Sequence, residues 1–217
     1  MRESVGRIIE TLRNVRKQKK IFLFLIAFFF FIDGVYTIID MATAYGSALG
    51  LDSTGLLLAL LVTQFVAFPF SILFGRLAEK YDTGKLILTC IAAYTGITVF
   101  AVFMKAQWQF WVLAIFVGMF QGGIQALSRS YFAKIVPPER SGEYFGLMDI
   151  CGKGASFMGT TVVGLASQAF GSINIGVSAI VFLFIAGALF FMKTEHSGSE
   201  STKNQENVIM GQQMFHN

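Results

Sequence analysis

Residues 28–40 read FFFFIDGVYTIID, four consecutive phenylalanines followed by a segment that contains two aspartates. Read as a helix, the spacing i, i+3, i+4, i+7 places four polar side chains on one face: Asp33, Tyr36, Thr37 and Asp40. The two carboxylates lie about 10 Å apart along this face. Because a charged side chain inside a bilayer costs roughly 2.5–3.5 kcal/mol, the face should meet water or another helix. A transport site and a structural pair bonded to a neighbouring helix are both open readings.

The composition is that of a membrane protein. Of the 217 residues, 54% are hydrophobic and 14% are charged, whereas soluble domains carry roughly 25% charged residues. The two cysteines fall in apolar runs and the two histidines in a polar tail, so the sequence predicts no disulfide framework, metal site or Cys–His nucleophile. We expect no cofactor and no nucleic-acid partner; the expected partners are the lipid bilayer and a small-molecule substrate.

Six apolar runs are long enough to cross a bilayer as helices, which takes about 20 residues each. They are continuous rather than alternating, which disfavours a β-barrel. The predicted fold is an all-α membrane protein whose transmembrane domain covers residues 21–193. The predicted spans lie near 21–45, 55–76, 85–104, 108–129, 144–166 and 173–192.

Fifteen of the 17 Lys and Arg residues fall on one side of these spans, the side that the positive-inside rule assigns to the cytoplasm. Both termini are then cytoplasmic, and we expect the membrane to be a bacterial cytoplasmic membrane. Residues 1–20 read as a basic amphipathic linker on the inner membrane surface, or equally as a solvated linker. Residues 194–217 are predicted to be a disordered cytoplasmic tail. A cleaved signal peptide is disfavoured, because twenty residues precede the first apolar run.

Polar residues also recur inside the fourth and fifth spans. Gln121, Gln125 and Arg129 fall at i, i+4, i+8 on one face of the fourth span. Asp149 and Lys153 of the fifth span have the i, i+4 spacing of an internal ion pair. The fifth span also has a small residue every four positions, which allows close helix packing: Gly152, Ser156, Thr160 and Gly164.

The order of polarity along the chain predicts two repeats of three helices. The first and fourth spans carry polar faces that could line a cavity, the second and fifth are interpreted as helix interfaces, and the third and sixth are the least polar, as expected of lipid-facing helices. Internal repeats with polar sites near the midplane are typical of secondary transporters. The candidate substrate or proton sites are Asp33, Tyr36, Thr37, Asp40, Gln64, Gln121 and Gln125.

Two short motifs resemble the cytoplasmic loops of the major facilitator superfamily. GRLAEK, residues 75–80, resembles the G-x-L-A-[DE]-[RK] loop between the second and third helices of a half. PPERSG, residues 137–142, resembles the P-x-x-x-R-[GS] loop before the fifth helix. The resemblance implies that Glu79 lies against the N-terminus of the fifth helix and pairs with a nearby arginine; a solvated loop is the alternative. The implied gate or motif residues are Gly75, Arg76, Glu79, Lys80, Arg129 and Arg140.

Three longer stretches resemble one branch of that superfamily, the vacuole-effluxer-like or autophagy-related permeases. They are DGVYTII at 33–39, QFVAFP at 64–69 and QGGIQALSRS at 121–130. The resemblance covers roughly residues 1–193 and only the C-terminal six-helix half of a twelve-helix carrier. It implies alternating access about a midplane site completed by a second six-helix half, either another chain or a second copy. An amino acid or similar metabolite is the substrate class that the resemblance implies.

The expected function is therefore half of a secondary active transporter. Proton coupling is expected at Asp33, because a carboxyl group in a low-dielectric cavity exchanges protons nearer neutrality than one in water. The alternative is a non-transporting fragment or assembly subunit from a truncated or split transporter gene. An intramembrane enzyme is disfavoured, because aspartates stacked about 10 Å apart on one helix cannot share a proton and no G-x-S-x-G or H-E-x-x-H motif is present.

Overall fold

The computed structural model describes the backbone of residues 13 and 15–214 and the side chains of residues 13 and 15–197. Over this part of the chain the fold is all-helical, as the apolar runs predict. Most of the predicted linker 1–20 lies outside the described residues. One 3₁₀ turn, Pro138–Arg140, precedes the fifth helix. The long helices are α1 (Lys19–Ala48), α2 (Ser53–Lys80), α3 (Thr83–Val102), α4 (Gln107–Ile135), α5 (Ser141–Phe170) and α6 (Ile173–Met214).

Short polar turns set the ends of several helices. Asp52 caps α2 by accepting a hydrogen bond from the Gly55 N–H at 2.7 Å, and Asp82 caps α3 by accepting one from the Lys85 N–H at 2.9 Å. Both aspartates satisfy backbone donors that the first turn of a helix leaves free. At the other end of α5, Gly171 adopts φ +65°, the left-handed conformation that commonly terminates a helix.

Within the described residues, five helical segments are long and apolar enough to cross a membrane: α1, α2, α3, α4 and the Ile173–Ser197 part of α6. Helix α5 is not among them, although the sequence predicts a span at 144–166. Its 30 residues give ample length, but Asp149, Lys153 and several small polar residues lower its apolarity. The all-helical membrane fold is thus confirmed, and the count of six spans stays a prediction.

Helix α1 lies at the centre of the bundle. It packs against α5 and α6 and also contacts α2 and α4, while α4 packs against α2 and α3. Helix α3 contacts α6, which closes the bundle on that side. Of the five apolar segments, α1 is the most buried and α2 the least. The helix with the two intramembrane aspartates is therefore surrounded by protein along much of its length.

The phenylalanines of α1 divide between the core and the surface. Phe28 and Phe31 are buried, whereas Phe29 and Phe30 are only partly covered. One turn earlier, the buried ring of Phe24 stacks on Phe132 of α4 with 5.3 Å between ring centroids. Stacked rings at this distance add to the stabilisation from area burial alone. The aromatic half of α1 thus anchors the helix to its neighbours and fixes the rotation of its polar face.

Helices α2 and α4 approach closely through a small-residue motif. A Cβ atom added at Gly118 would lie 2.6 Å from the carbonyl oxygen of Thr63, and one added at Gly122 would lie 2.5 Å from that of Ala67. These two glycines form a G-x-x-x-G pair, which lets helix backbones meet in membranes. Their absent side chains explain how α2 can be held against α4 while most of its surface stays exposed.

The packed bundle extends past the boundary predicted at residue 193. Thr194 is fully buried, and Glu195 accepts a hydrogen bond from the hydroxyl of Tyr131 on α4. The Glu195 carboxyl carbon also lies 2.8 Å from where a Cβ of Gly84 would be, at the start of α3. Helix α6 continues to Met214, whereas the sequence predicts a disordered tail from residue 194. Contacts with α3 and α4 explain the helical order at the start of that segment.

Candidate functional site

The polar face of α1 is turned toward α5. Asp33 and Thr37 are fully buried, and Asp33 Oδ1 accepts a hydrogen bond from the Gly159 N–H of α5 at 2.8 Å. The Thr37 hydroxyl lies 3.5 Å from the same oxygen. Seven residues on, Asp40 Oδ2 accepts a 2.8 Å hydrogen bond from the hydroxyl of Ser156. Both aspartates of FFFFIDGVYTIID are thus bonded to a single neighbouring helix.

Asp33 is nevertheless incompletely satisfied. Its second oxygen, Oδ2, is buried and has no hydrogen-bond partner among the described residues. A buried polar atom without a partner costs about 1–3 kcal/mol. Such an atom is expected either to carry a proton or to meet a group that this chain does not supply.

A polar pocket lies between α1, α4 and α5 and occupies about 100 Å³. It gathers five of the polar residues that the sequence singled out, which come from three different helices. Their side chains line one space. The polar lining residues are Tyr36, Gln125, Arg129, Asp149 and Lys153, and the apolar ones are Phe28, Ile32, Met148 and Gly152.

An ion pair between helices crosses the polar pocket. Arg129 Nη2 of α4 lies 2.8 Å from Asp149 Oδ1 of α5. The sequence predicted that Asp149 pairs with Lys153 one turn along α5; this prediction is wrong for the described residues, because the Arg129 guanidinium reaches across from α4 and takes the carboxylate. The i, i+4 spacing fixed which residues share a helix face but did not show which neighbouring helix faces them.

The other predicted glutamines lie outside the polar pocket. Gln64 is exposed and lines a largely apolar cavity of about 190 Å³ between α1, α2 and α4. Gln121 is partly covered, and its Oε1 is buried without a hydrogen-bond partner among the described residues. Of the three polar positions predicted on the fourth span, only Gln125 and Arg129 therefore meet the polar residues of α5.

The predicted motif 75–80 forms the last turns of α2 rather than a loop. Gly75, Arg76, Glu79 and Lys80 are all exposed. Within the described part of the chain, Glu79 forms no ion pair, so the pairing with a nearby arginine that the resemblance implies is not present. Arg140 instead pairs with Glu143 in the first turn of α5 at 2.8 Å.

Two residues of this region were not anticipated from the sequence. Gly159 lies between Ser156 and Thr160 of the small-residue series without being a member of it, and it provides the actual point of close approach to α1. Glu195 lies in a segment whose polar composition predicted a tail. For Gly159 the signal available was only the general enrichment of α5 in small residues, and for Glu195 there was none.

Comparisons with known protein families identify the relatives of this chain. Residues 1–203 match the model of the family described as "Vacuole effluxer Atg22 like". The chain belongs to this family. The match confirms the resemblance drawn from the motifs of α1, α2 and α4.

Named relatives agree with the family match. The chain is 43% identical to the uncharacterized MFS-type transporter YxiO of Bacillus subtilis (strain 168). The match spans 206 residues, which are 95% of this chain and 48% of that protein. It is 28% identical over 196 residues to autophagy-related protein 22-2 of Aspergillus clavatus, covering 82% of this chain and 31% of the relative. The Saccharomyces cerevisiae (strain YJM789) autophagy-related protein 22 is 29% identical over 178 residues, covering 74% and 33%.

This Atg22-like chain therefore spans less than half the length of these relatives. The relatives are transporters and effluxers, and such proteins are not enzymes. Together with its apolar helices, these relationships make the chain an integral membrane protein of a transporter family.

Proposed function

We propose that this chain is half of a secondary active transporter, which moves a small solute by alternating access and acts with a second six-helix half. The observation that carries the proposal is the polar pocket, where an exposed ion pair and three further polar side chains line one space between α1, α4 and α5. Ionisable groups within membrane segments are costly and usually mark solute or ion pathways. An amino acid or a similar metabolite is the substrate class that we expect.

The proposal includes α5 as the sixth span. The helix has 30 residues, more than the roughly 20 that a bilayer needs, and it packs along α1 and α6. Its charged residues Asp149 and Lys153 line the polar pocket, so they need not face lipid. Six spans would keep both termini on the basic, cytoplasmic side of what we propose is a bacterial cytoplasmic membrane.

The helix contacts support two repeats of three helices. In the proposed scheme α1, α2 and α3 correspond to α4, α5 and α6. The contacts of α1 with α5 and α6 then match the contacts of α4 with α2 and α3. Equivalent pairing of this kind is expected for the repeats of one half of a major-facilitator fold. We propose that the chain is the C-terminal half of such a carrier.

The second half is proposed because the polar pocket is open on one side and the chain covers less than half of its named relatives. The test is co-purification in mild detergent, followed by solute uptake into liposomes. We expect the chain alone to be inactive and the complex with its second half to be active. Uptake by a reconstituted monomer would refute the need for a second half, whereas inactivity with every candidate half would favour the alternative of a non-transporting fragment or assembly subunit.

Proton coupling is proposed at Asp33 because its Oδ2 is buried and has no hydrogen-bond partner among the residues that the structure describes. Asp33→Asn keeps an oxygen that can accept the hydrogen bond from Gly159, so the fold should survive. In the assembled carrier this variant should lose the pH dependence of uptake, because an amide cannot exchange the proton. Asp52→Asn is the matched control, since Asp52 caps α2 and asparagine caps helices equally well. Equal pH dependence in both variants would remove Asp33 from the coupling mechanism.

A further inference from the structure

An apolar cavity of about 290 Å³ lies beside the N-terminal turns of α1. Phe22, Ile26 and Phe29 line it from α1, at the i, i+4, i+7 spacing of one helix face. Leu147 and Cys151 line it from α5. This phenylalanine cavity shares no lining residue with the polar pocket, so it is a separate feature of the same two helices.

The phenylalanine cavity has the dimensions of a segment of a lipid chain. From Phe22 to Phe30, which also lines it, the wall runs about 12 Å along α1, close to the roughly 15 Å of hydrocarbon in one leaflet. A cavity of about 150 Å³ with similar walls holds a benzene molecule, and this one is about twice as large. Phe22 is 37% exposed, and Phe29 and Phe30 are only partly covered. An alkyl chain can therefore reach the wall from outside the described chain.

Basic residues lie directly before the cavity wall in the sequence. Residues 13–20, the basic segment, contain five Lys and Arg residues and no acidic residue. Arg16, Lys17 and Lys19 are exposed, and none of them forms an ion pair within the described part of the chain. Lys19 precedes Phe22 by three positions, which places it on the cavity face of α1, one turn nearer the end of the helix.

The local backbone and a neighbouring helix hold positive charge next to the phenylalanine cavity. The helix is interrupted at Gln18, where φ is −99° and ψ is 85°, and Val15 before it is buried and lines the cavity. Phe30 stacks on Phe190 of α6 with 5.7 Å between ring centroids, and the Lys193 ammonium lies 5.7 Å from the centroid of the Phe190 ring. Cations thus flank the cavity from the basic segment and from α6.

We propose that the phenylalanine cavity binds one acyl chain of an anionic phospholipid, whose headgroup phosphate lies against the basic segment. An apolar cavity that adjoins exposed positive charge is complementary to both parts of such a lipid. Each basic residue beside an anionic membrane surface raises the affinity roughly fivefold, and the cavity fixes the position of the chain. Binding of this kind does not depend on the proposed transport function.

The first test determines which lipid enters the phenylalanine cavity. The full chain is reconstituted in phosphatidylcholine nanodiscs with a photoactivatable probe, either phosphatidylglycerol or phosphatidylcholine with the same diazirine-bearing acyl chain. Cross-links in segments 22–30 and 147–151 are quantified by mass spectrometry and normalised to those at Val99, an exposed residue of α3. Normalised labelling by the phosphatidylglycerol probe should exceed that by the phosphatidylcholine probe by about fivefold or more.

Matched variants separate recognition of the headgroup from recognition of the chain. Lys19→Gln should reduce phosphatidylglycerol labelling about fivefold, and Arg16→Gln added to it about 25-fold, whereas Lys19→Arg should retain the labelling. Lys85→Gln, at an exposed lysine in the first turn of α3, is the control and should have no effect. Ile26→Trp should fill the cavity and abolish the preference for phosphatidylglycerol, whereas Ile185→Trp, at an exposed position of α6, should keep it. Unchanged far-UV circular dichroism verifies that each variant is folded.

Four results would overturn the inference. Equal labelling by the two probes would show that the headgroup charge is not recognised, and equal effects of Lys19→Gln and Lys85→Gln would show that the basic segment is not the site of recognition. A preference that survives Ile26→Trp would show that no chain enters the cavity. Absence of labelling in both segments would show that something else fills the cavity, and labelling that appears only after deletion of residues 2–12 would identify that segment as the occupant.

Discussion

Gly159 is the point where α5 comes closest to the polar face of α1, and we predict that Gly159→Ala destabilises the bundle. The added Cβ would lie 2.5 Å from Asp33 Oδ1 and nearer still to Thr37 Oγ1. Both neighbouring side chains are short and fully buried, so there is little room for either to move aside. A shift of α5 would in turn lengthen the hydrogen bond from the Gly159 N–H to Asp33.

The size of the effect follows from three terms. Forcing an extra methyl group into a packed site costs about 1–3 kcal/mol. Weakening the hydrogen bond to Asp33 costs roughly 0.5–3 kcal/mol, depending on the charge of the carboxyl group. Alanine has a better helix propensity than glycine, which stabilises the folded helix by about 1 kcal/mol and offsets part of this loss. Middle values leave a net loss of about 3 kcal/mol in the free energy of unfolding.

The assay is equilibrium unfolding of the purified chain in mixed micelles, followed by far-UV circular dichroism. Gly164→Ala is the matched control, because Gly164 lies on the same helix and a Cβ there would meet no atom within 4 Å; this variant should be unchanged or up to about 1 kcal/mol more stable. Thr37→Ala added to Gly159→Ala should recover part of the loss, since it removes the nearest atom. Equal stability of the Gly159 and Gly164 variants would refute the close contact between α1 and α5.

The remaining predictions concern two other contacts and use the same unfolding assay. Gly122→Ala should cost about 1–3 kcal/mol, because its Cβ would lie 2.5 Å from a backbone carbonyl of α2, whereas Gly96→Ala, with no atom within 4 Å, should cost nothing; equal effects would show that α2 is not held by this motif. Tyr131→Phe should lose about 1.5–3 kcal/mol, the value of a hydrogen bond to a charged partner, because it removes the donor to Glu195. Tyr81→Phe, at an exposed position, should have no effect, and a Tyr131 variant as stable as this control would exclude a stabilising role for the contact.

The sequence predicted the helices well because apolar length and periodicity are local properties. The i, i+3, i+4, i+7 series of α1 does form one face, and that face does meet a partner, since Asp33 and Asp40 are both hydrogen-bonded to α5. Of the two readings left open for these aspartates, the structure shows the hydrogen bonds of the structural one. Because Oδ2 of Asp33 has no hydrogen-bond partner in the described part of the chain, a proton site at Asp33 remains a proposal.

Relationships between helices were harder to predict, because sequence spacing does not reveal which side chains approach from a neighbour. Asp149 and Lys153 have ideal spacing within α5, yet Arg129 from α4 takes the carboxylate. The gating role implied for Glu79 depends on contacts beyond its own helix, and the described structure leaves this side chain exposed. Gln64 and Gln121 likewise share the polarity of the pocket residues but lie outside the polar pocket.

The hydrogen bond between Tyr131 and Glu195 also places residues after 193 within the folded unit. Truncation after residue 193 would delete the buried Thr194 together with Glu195, and it would leave the Tyr131 hydroxyl without the acceptor it has in the intact chain. The first turn of α3 would lose the carboxyl group that lies against Gly84. A protease site or fluorescent tag inserted at that boundary would therefore perturb the membrane bundle itself, so labels for transport or binding assays should not interrupt residues 193–195.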